Sequence, residues 1–104
     1  MIIFAEPMRI IAKSTLKEYW LKHNDCEQQL LSWYKIFKHA KYKSYEEVLH
    51  DFGTMKIVGA DRIIFKIKGN NYRLVVKVSF TNQLVYIRFI GTHGEYDKID
   101  VKTI

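Results

Sequence analysis

The spacing of apolar residues changes about halfway along the chain, and each half predicts a different type of secondary structure. In residues 14–40, apolar side chains recur every three or four positions, as on the buried face of an α-helix. This spacing predicts an αα-hairpin, whose first helix has Ser14 as its N-cap and whose second starts at a capping box of Asp25 and Gln28. The residues on the helical stripes are Leu16, Tyr19, Trp20 and His23, then Leu30, Trp33, Tyr34, Phe37 and Ala40.

A third, shorter helix is predicted after the hairpin. Ser44 and Glu47 repeat the capping-box spacing, in which the side chain of each residue bonds the backbone N–H of the other. The helical pattern ends near Phe52–Gly53. The first half of the chain is therefore expected to be helical after a short N-terminal strand at Met8–Ile11.

From about Lys56 onward, apolar and polar residues alternate, which is typical of β-strands with one buried face. The alternation predicts strands at Arg62–Lys68, Tyr72–Phe80 and Leu84–Ile90. The connections at 69–70 and 81–83 are short enough for hairpins, so the three strands are expected to form an antiparallel meander. The predicted fold is α+β, with the N-terminal strand and the αα-hairpin packed on one face of an antiparallel sheet.

The length and composition fit one soluble domain. The chain has 104 residues, of which 48% are hydrophobic, enough for a core but too few for two domains. We expect one domain over residues 8–104 and treat residues 1–7 as an extension, because Met8 could itself be the start. No apolar run is long enough to span a membrane, and the single cysteine, Cys26, cannot form an intrachain disulfide, which fits a reducing cytoplasm.

Basic residues dominate the strand region. The formal net charge of the chain is +6, which favours polyanionic partners. Between Arg62 and Gly94 there are six Lys or Arg residues and no Asp or Glu, and all six lie at polar positions of the strand pattern. They are Arg62, Lys66, Lys68, Arg73, Lys77 and Arg88. We expect a helix-free basic face that binds RNA phosphates; the alternative is a solvated face that keeps the domain soluble.

Side chains that can exchange protons cluster after the last strand, in the stretch Thr92–Lys98. If this stretch is extended, His93, Glu95 and Asp97 project to the same side; if a turn or helix intervenes, His93 and Asp97 come together instead. Beside a basic face, such groups could cleave RNA without a metal. One group would take a proton from a 2′-hydroxyl, and another would protonate the leaving 5′-oxygen.

Two other interpretations of this cluster remain open. Thr92 and Asp97 could cap a turn, in which case His93 is incidental. A metal site of His93, Glu95 and Asp97 is disfavoured, because one histidine without a cysteine pair is a poor ligand set. The other histidines are predicted to be surface or packing residues: His23, His39 and His50.

Four segments of the chain resemble the HigB-type toxins of bacterial toxin–antitoxin pairs, a branch of the RelE/ParE superfamily. They are MRIIAKSTLKEYW, LLSWYKIFKHAKYKS, VGADRIIFKIKGNNYRLVVKV and VYIRFIGTHGEYDKID. The resemblance implies a ribonuclease of helices and an antiparallel sheet that cuts mRNA on the translating ribosome and inhibits growth. It also implies neutralisation by an antitoxin with a helix-turn-helix domain, and operator DNA bound only through that antitoxin.

The same motifs imply roles for individual residues. THGEYD supplies His93, Tyr96 and Asp97 as catalytic or substrate-orienting residues. NYRLVV supplies Arg73, and VYIRFIG supplies Arg88, as phosphate ligands. Because proton-transfer roles vary among related toxins, the general acid and base stay unassigned. The expected products are a 2′,3′-cyclic phosphate and a 5′-hydroxyl, formed without a metal or cofactor.

Two other functions fit the chain. One is a non-catalytic basic module that binds RNA or the ribosome, and the other is a toxin that poisons gyrase, as some superfamily members do. The tail that carries His93 favours the nuclease, by analogy with the nuclease branch.

Overall fold

The secondary structure is described for residues 8–104 in a computed structural model. The helices are α1 (Lys13–Lys22), α2 (Glu27–His39), α3 (Tyr45–Asp51) and α4 (His93–Tyr96), and the strands are β1 (Arg9–Ile11), β2 (Lys56–Val58), β3 (Arg62–Ile67), β4 (Tyr72–Ser79) and β5 (Leu84–Thr92). A 3₁₀ turn, Asn24–Cys26, joins α1 to α2. None of the helices in this range has the length and apolar composition that crossing a membrane requires. The predicted extension, residues 1–7, lies outside the described residues.

The strands form one sheet in the order β1-β5-β4-β3-β2. The predicted meander is confirmed, since β3 pairs antiparallel with β4 and β4 with β5. The N-terminal strand does not pack on a face of this sheet but joins it as an edge strand, in which β1 runs parallel to β5 with Ile10 opposite Val85. β2, which pairs with the first half of β3, has only three residues, too few for alternation to indicate a strand from sequence.

The main core lies between the helices and one face of the sheet, which confirms the predicted α+β layers. Its buried side chains from α1 and α2 are Leu16, Trp20, Leu30, Trp33 and Phe37, and those from the strands include Ile63, Phe65, Leu74 and Val76. Trp33 stacks on Phe37 with ring centroids 5.0 Å apart, and both rings meet Phe65 edge-on. Because full burial of one such side chain contributes about 1.5–3 kcal/mol, this interface dominates the stability of the fold.

Two of the three predicted helix starts are wrong. The N-cap of α1 is Ala12 and that of α2 is Cys26, and neither has a side-chain cap. The Asp25 carboxylate instead accepts a hydrogen bond from the Tyr72 hydroxyl at 2.7 Å, a contact across 47 positions that local spacing does not reveal. The Ser44 cap is confirmed, because the Ser44 hydroxyl accepts a hydrogen bond from the Glu47 N–H. The reciprocal bond of the predicted capping box is not formed, because the Glu47 carboxylate accepts from the Lys43 N–H instead.

Candidate functional site

The second face of the sheet carries the predicted basic residues but is not a bare basic surface. Arg62 lies opposite Lys77, and Lys66 lies opposite Arg73, so these four side chains share one face as the alternation predicts. The chain end folds back over this face, however, and forms a second apolar cluster with the sheet. Its members are Ile64, Val75 and Val101, with Val58, Phe89, Tyr96, Ile99 and Ile104 packed against them. The predicted open basic face is therefore wrong, because apolar residues of the chain end bury much of it.

The two basic residues at one end of this face are held by partners within the chain. The Arg62 guanidinium pairs with Asp61 and donates hydrogen bonds to the Ile104 carbonyl. The Lys77 Nζ lies 3.8 Å from Asp61 Oδ2. Asp61 immediately precedes the stretch that lacks acidic residues, so counting charges from Arg62 onward omits the partner of both cations.

Lys66 and Lys68 lie at the other end of β3 and are exposed. No carboxylate lies within 4 Å of either ammonium group among residues 8–104. The backbone N–H of Lys68 donates to the Gln29 side chain, which fixes the β3–β4 hairpin against α2. These two lysines therefore remain available to an external anion.

Arg73 is the buried cation of the site, with 7% of its surface exposed. Its Nη1 donates to the carbonyls of Asn70, at 3.0 Å, and of Tyr72, at 3.2 Å, and its Nη2 donates to the Asn70 side chain. The Tyr96 ring lies beside the guanidinium, with its centroid 5.9 Å from Cζ. All these partners are neutral, and no carboxylate in the described part of the chain pairs with Arg73. A buried charge without a counter-ion is costly, so this guanidinium is suited to an incoming phosphate.

The helical turn α4 positions the side chains that follow β5. Thr92 caps it: its hydroxyl accepts from the Glu95 N–H at 3.1 Å, and the Glu95 carboxylate accepts from the Thr92 N–H at 2.9 Å. These hydrogen bonds from Thr92 hold the pKa of Glu95 below its usual value. Glu95 is thus used as a cap, and it does not share a site with Asp97.

His93 and Asp97 are brought together by this turn. Their Nδ1 and Oδ1 atoms are 3.5 Å apart, and 47% and 61% of the two side chains are exposed. Of the two arrangements that the sequence left open, the helical one is therefore present. A carboxylate beside an exposed imidazole can fix the orientation of the ring and accept its N–H, which is the geometry of a proton-transfer pair.

The hairpin between β3 and β4 places the pair at the same end of the sheet as Arg73. Arg73 lies opposite Gly91 in the β4–β5 pairing, and the His93 N–H donates to the Asn71 carbonyl at 3.0 Å. Gly91 leaves room for the Phe89 ring, since a Cβ there would lie 2.5 Å from the Phe89 Cζ. Substitution of Gly91 would therefore displace the ring that packs against Tyr96.

Arg88 is separated from this end of the sheet by a β-bulge. Val75 pairs with Phe89 and Val76 with Ile87, so Arg88 is an extra residue in β5. Its side chain is exposed, and its Cζ lies 5.5 Å from the centroid of the Tyr86 ring. The structure therefore brings Arg73, His93, Tyr96 and Asp97 together and places Arg88 farther along the edge of β5.

His23 lies closer to the site than the sequence predicts. Its ring stacks on Tyr19 with centroids 4.2 Å apart and meets the Tyr72 ring at 6.0 Å. Tyr72 lies opposite Thr92, so the end of α1 lies beside the start of α4. Burial raises the pKa of Tyr19 to about 12, and the Asp25 carboxylate raises the pKa of Tyr72 to about 12 through its hydrogen bond. Both hydroxyls thus stay protonated at neutral pH, and the i, i+4 spacing of Tyr19 and His23 is the only sequence signal of this cluster.

Metal ligands do not converge in the described region, where no group of three or more His, Cys, Asp or Glu side chains could hold an ion. Glu95, the third ligand of the metal site considered from the sequence, caps α4 with its carboxylate, so His93 and Asp97 remain as a pair.

Residues 26–99 match the family model of the HigB toxins, described as the RelE-like toxic component of a toxin–antitoxin system. The chain belongs to the HigB toxin family. It is also similar to the mRNA interferase HigB of Escherichia coli O6:H1 (strain CFT073), with 27% identity over 94 residues that cover 88% of this chain and 91% of that protein. The chain is therefore a toxin of a toxin–antitoxin pair, and its family implies an antitoxin partner.

The matched region begins at the end of the 3₁₀ turn and includes all five residues for which the motifs implied a catalytic or phosphate-binding role. They are Arg73, Arg88, His93, Tyr96 and Asp97. α1 precedes the region that the family model matches, and the ring contacts of His23 place its end beside the site.

Replacing Thr92 by alanine is expected to destabilise this toxin by about 1 kcal/mol, because α4 loses its N-cap hydrogen bond and Glu95 loses its partner hydroxyl. Urea unfolding at pH 7 measures the change. Thr92→Ser keeps the hydroxyl and is the matched control, expected to lie within a few tenths of a kcal/mol of the wild type. Equal losses for both variants would show that the cap does not stabilise α4.

Proposed function

We propose that this toxin is an mRNA endoribonuclease that cuts messages on the translating ribosome without using a metal ion. The observation that carries the proposal is the buried guanidinium of Arg73, which has no carboxylate partner within residues 8–104 and lies at the same end of the sheet as the His93–Asp97 pair. A cation that is held by neutral groups and lies near an exposed imidazole suits a phosphodiester about to be cleaved. The similar Escherichia coli protein is named an mRNA interferase, which supports the same reaction.

The proposed reaction is an internal transfer at phosphorus. One side chain removes the proton from the 2′-hydroxyl, O2′ attacks the phosphorus, and the bond to O5′ breaks as a second side chain protonates that oxygen. His93, oriented by Asp97, is assigned one proton transfer, and the Tyr96 hydroxyl is the candidate for the other. Arg73 stabilises the crowded, charged phosphorus in the transition state. The products are a 2′,3′-cyclic phosphate and a 5′-hydroxyl.

The exposed lysines of the β3–β4 hairpin are assigned to the RNA backbone. Lys66 and Lys68 are exposed and unpaired in the described range, and both lie on the strand and turn that lead to Arg73. Arg62 and Lys77 both pair with Asp61, so they are assigned a smaller contribution to RNA binding. We further propose that the toxin acts in the cytoplasm and that a helix-turn-helix antitoxin neutralises it and supplies all contact with operator DNA.

The chemical ends of the RNA fragments test this function. Translating ribosomes that carry a defined mRNA are expected to yield fragments with a 2′,3′-cyclic phosphate and a 5′-hydroxyl, read by end-specific labelling after incubation with the toxin. A message carrying 2′-O-methyl groups at the mapped cleavage nucleotides is expected to stay intact, because the nucleophile is blocked. Fragments with 3′-hydroxyl and 5′-phosphate ends, or growth arrest with intact mRNA, would contradict the proposal.

A further inference from the structure

An open groove of about 370 Å³ lies between α1 and the second half of β5. β1 pairs with residues 84–86 of β5 only, so from Arg88 onward the described chain provides no strand at this edge. The stretch Arg88–Ile90 forms one wall of the groove and α1 forms the other. The fold thus leaves half of β5 facing a helix across a gap.

The α1 wall of the groove is mostly an exposed side of the helix, although Tyr19 also packs against the core. The lining residues of α1 lie along one side of the helix, because they are separated by three, one and three positions. They are Thr15, Glu18, Tyr19 and Lys22. The fully buried residues of α1, Leu16 and Trp20, lie on a different side. This wall therefore combines a ring that packs against the core, Tyr19, with three exposed polar side chains.

Two cations face this groove. Arg88, the extra residue at the bulge in β5, lines the groove, and its guanidinium lies over the Tyr86 ring. Lys22 lies opposite it on α1, and both side chains are exposed. Neither has a carboxylate within 4 Å among residues 8–104, and Glu18 is the single acidic residue in the lining. The groove therefore carries one net positive charge, the complement of one phosphodiester.

The groove continues into the candidate site through aromatic rings. Phe89, next to Arg88, has its ring centroid 6.5 Å from that of Tyr96, and the Tyr96 ring lies against Arg73. A strand of RNA that has one phosphate at Arg73 can thus pass over these rings toward Arg88. Proteins that bind single-stranded RNA also use aromatic rings beside cations to stack its bases.

We propose that this groove binds a second backbone phosphate of single-stranded RNA, beside the phosphate that is cleaved, through Arg88 and Lys22. The inference deepens the proposed function, on which it rests for the identity of the ligand. It gives α1 a part in substrate binding, which the family-model match over residues 26–99 does not itself indicate.

Two charge reversals on the same helix test the proposal. Lys22→Glu changes the groove, whereas Lys17→Glu makes the same change of net charge at an exposed position of α1 that does not line the groove. Binding is measured by fluorescence anisotropy with a 2′-O-methyl oligonucleotide of 12 nucleotides, which cannot be cleaved, between 25 and 200 mM salt. Lys22→Glu is expected to weaken binding about tenfold at the lowest salt. It is also expected to reduce the slope of log K against log salt by about 0.7, the value for one lost phosphate contact on a single strand.

Lys17→Glu is expected to leave the slope unchanged, and Arg88→Ala is expected to lower it as Lys22→Glu does. Equal slopes for the two charge reversals, or a wild-type protein that does not bind the oligonucleotide, would overturn the proposal. The outcome is separable from that of the proposed function. If binding depends on Lys22 but ribosomal mRNA stays intact, the groove proposal stands and the nuclease proposal fails. If mRNA is cleaved but the two slopes are equal, the nuclease proposal stands and the groove proposal fails.

Discussion

Replacing His93 by alanine is expected to reduce the rate of mRNA cleavage by about 10²–10⁴-fold, the usual contribution of one positioned proton-transfer group. The fold is expected to persist, because the His93 ring is 47% exposed and contacts the Asp97 carboxylate, while its backbone bonds to Asn71 and Asp97 do not need the ring. The measurement is the single-turnover rate of cleavage of mRNA on stalled ribosomes, together with growth after induction.

His39→Ala is the matched control for this prediction. His39 is an exposed histidine in the last turn of α2, on an element that does not reach the site. Its variant is expected to cleave mRNA and arrest growth as the wild type does. Should His93→Ala and His39→Ala cleave equally well, the imidazole of His93 takes no part in the reaction, and the cap formed by Thr92 and Glu95 is the main role of this turn.

Replacing Arg73 by methionine is expected to separate stability from activity. Methionine removes a buried charge that has no carboxylate partner, but it also leaves the carbonyls of Asn70 and Tyr72 without this donor. Because these two effects oppose each other, the free energy of unfolding is expected to change by less than about 1 kcal/mol. The rate of mRNA cleavage is expected to fall by about 10²–10³-fold, because a fixed positive group is lost at the phosphorus. Urea unfolding and the single-turnover rate are compared for the same preparation.

The comparison variant for stability is Arg62→Met. Arg62 pairs with Asp61 and binds the Ile104 carbonyl, so its loss leaves these oxygens without their donor and is expected to cost about 1–3 kcal/mol. If Arg73→Met is destabilised as much as Arg62→Met and still cleaves mRNA at the wild-type rate, Arg73 is a structural residue and the proposed mechanism is wrong.

The layers of this fold could be predicted because they depend on local periodicity. The alternation in the strands assigns Ile63 and Phe65 to the core and Arg62 and Lys66 to the other face, and the register confirms it. The capping prediction failed at Ser14 and Asp25, and at Ser44 only the N-cap bond of the predicted capping box is present. A polar side chain near a helix start can bond distant groups instead. Asp25 does so with Tyr72.

The contact between His93 and Asp97 could be predicted only as one of two alternatives. The four-residue spacing of His93 and Asp97 brings them together on a helix and not in a strand, so their contact depends on whether α4 forms. Glu95 appears in the sequence to be a third member of the cluster, but in the structure it is committed to capping. The place of His23 beside the site was missed, because its contact with Tyr72 joins residues 49 positions apart.

The amino-acid sequence by itself determined the α+β layers, the meander, the shared face of four basic strand residues and the motifs of a toxin family. Only the tertiary structure decided which cations are available to a ligand. The chain end folds onto the sheet and places the Ile104 carbonyl against Arg62, and neutral groups surround Arg73. A bulge makes Arg88 an extra residue of β5, outside the regular strand pairing. Charge and periodicity are properties of neighbouring residues, whereas the pairing and burial of a charge depend on segments that meet only when the chain has folded.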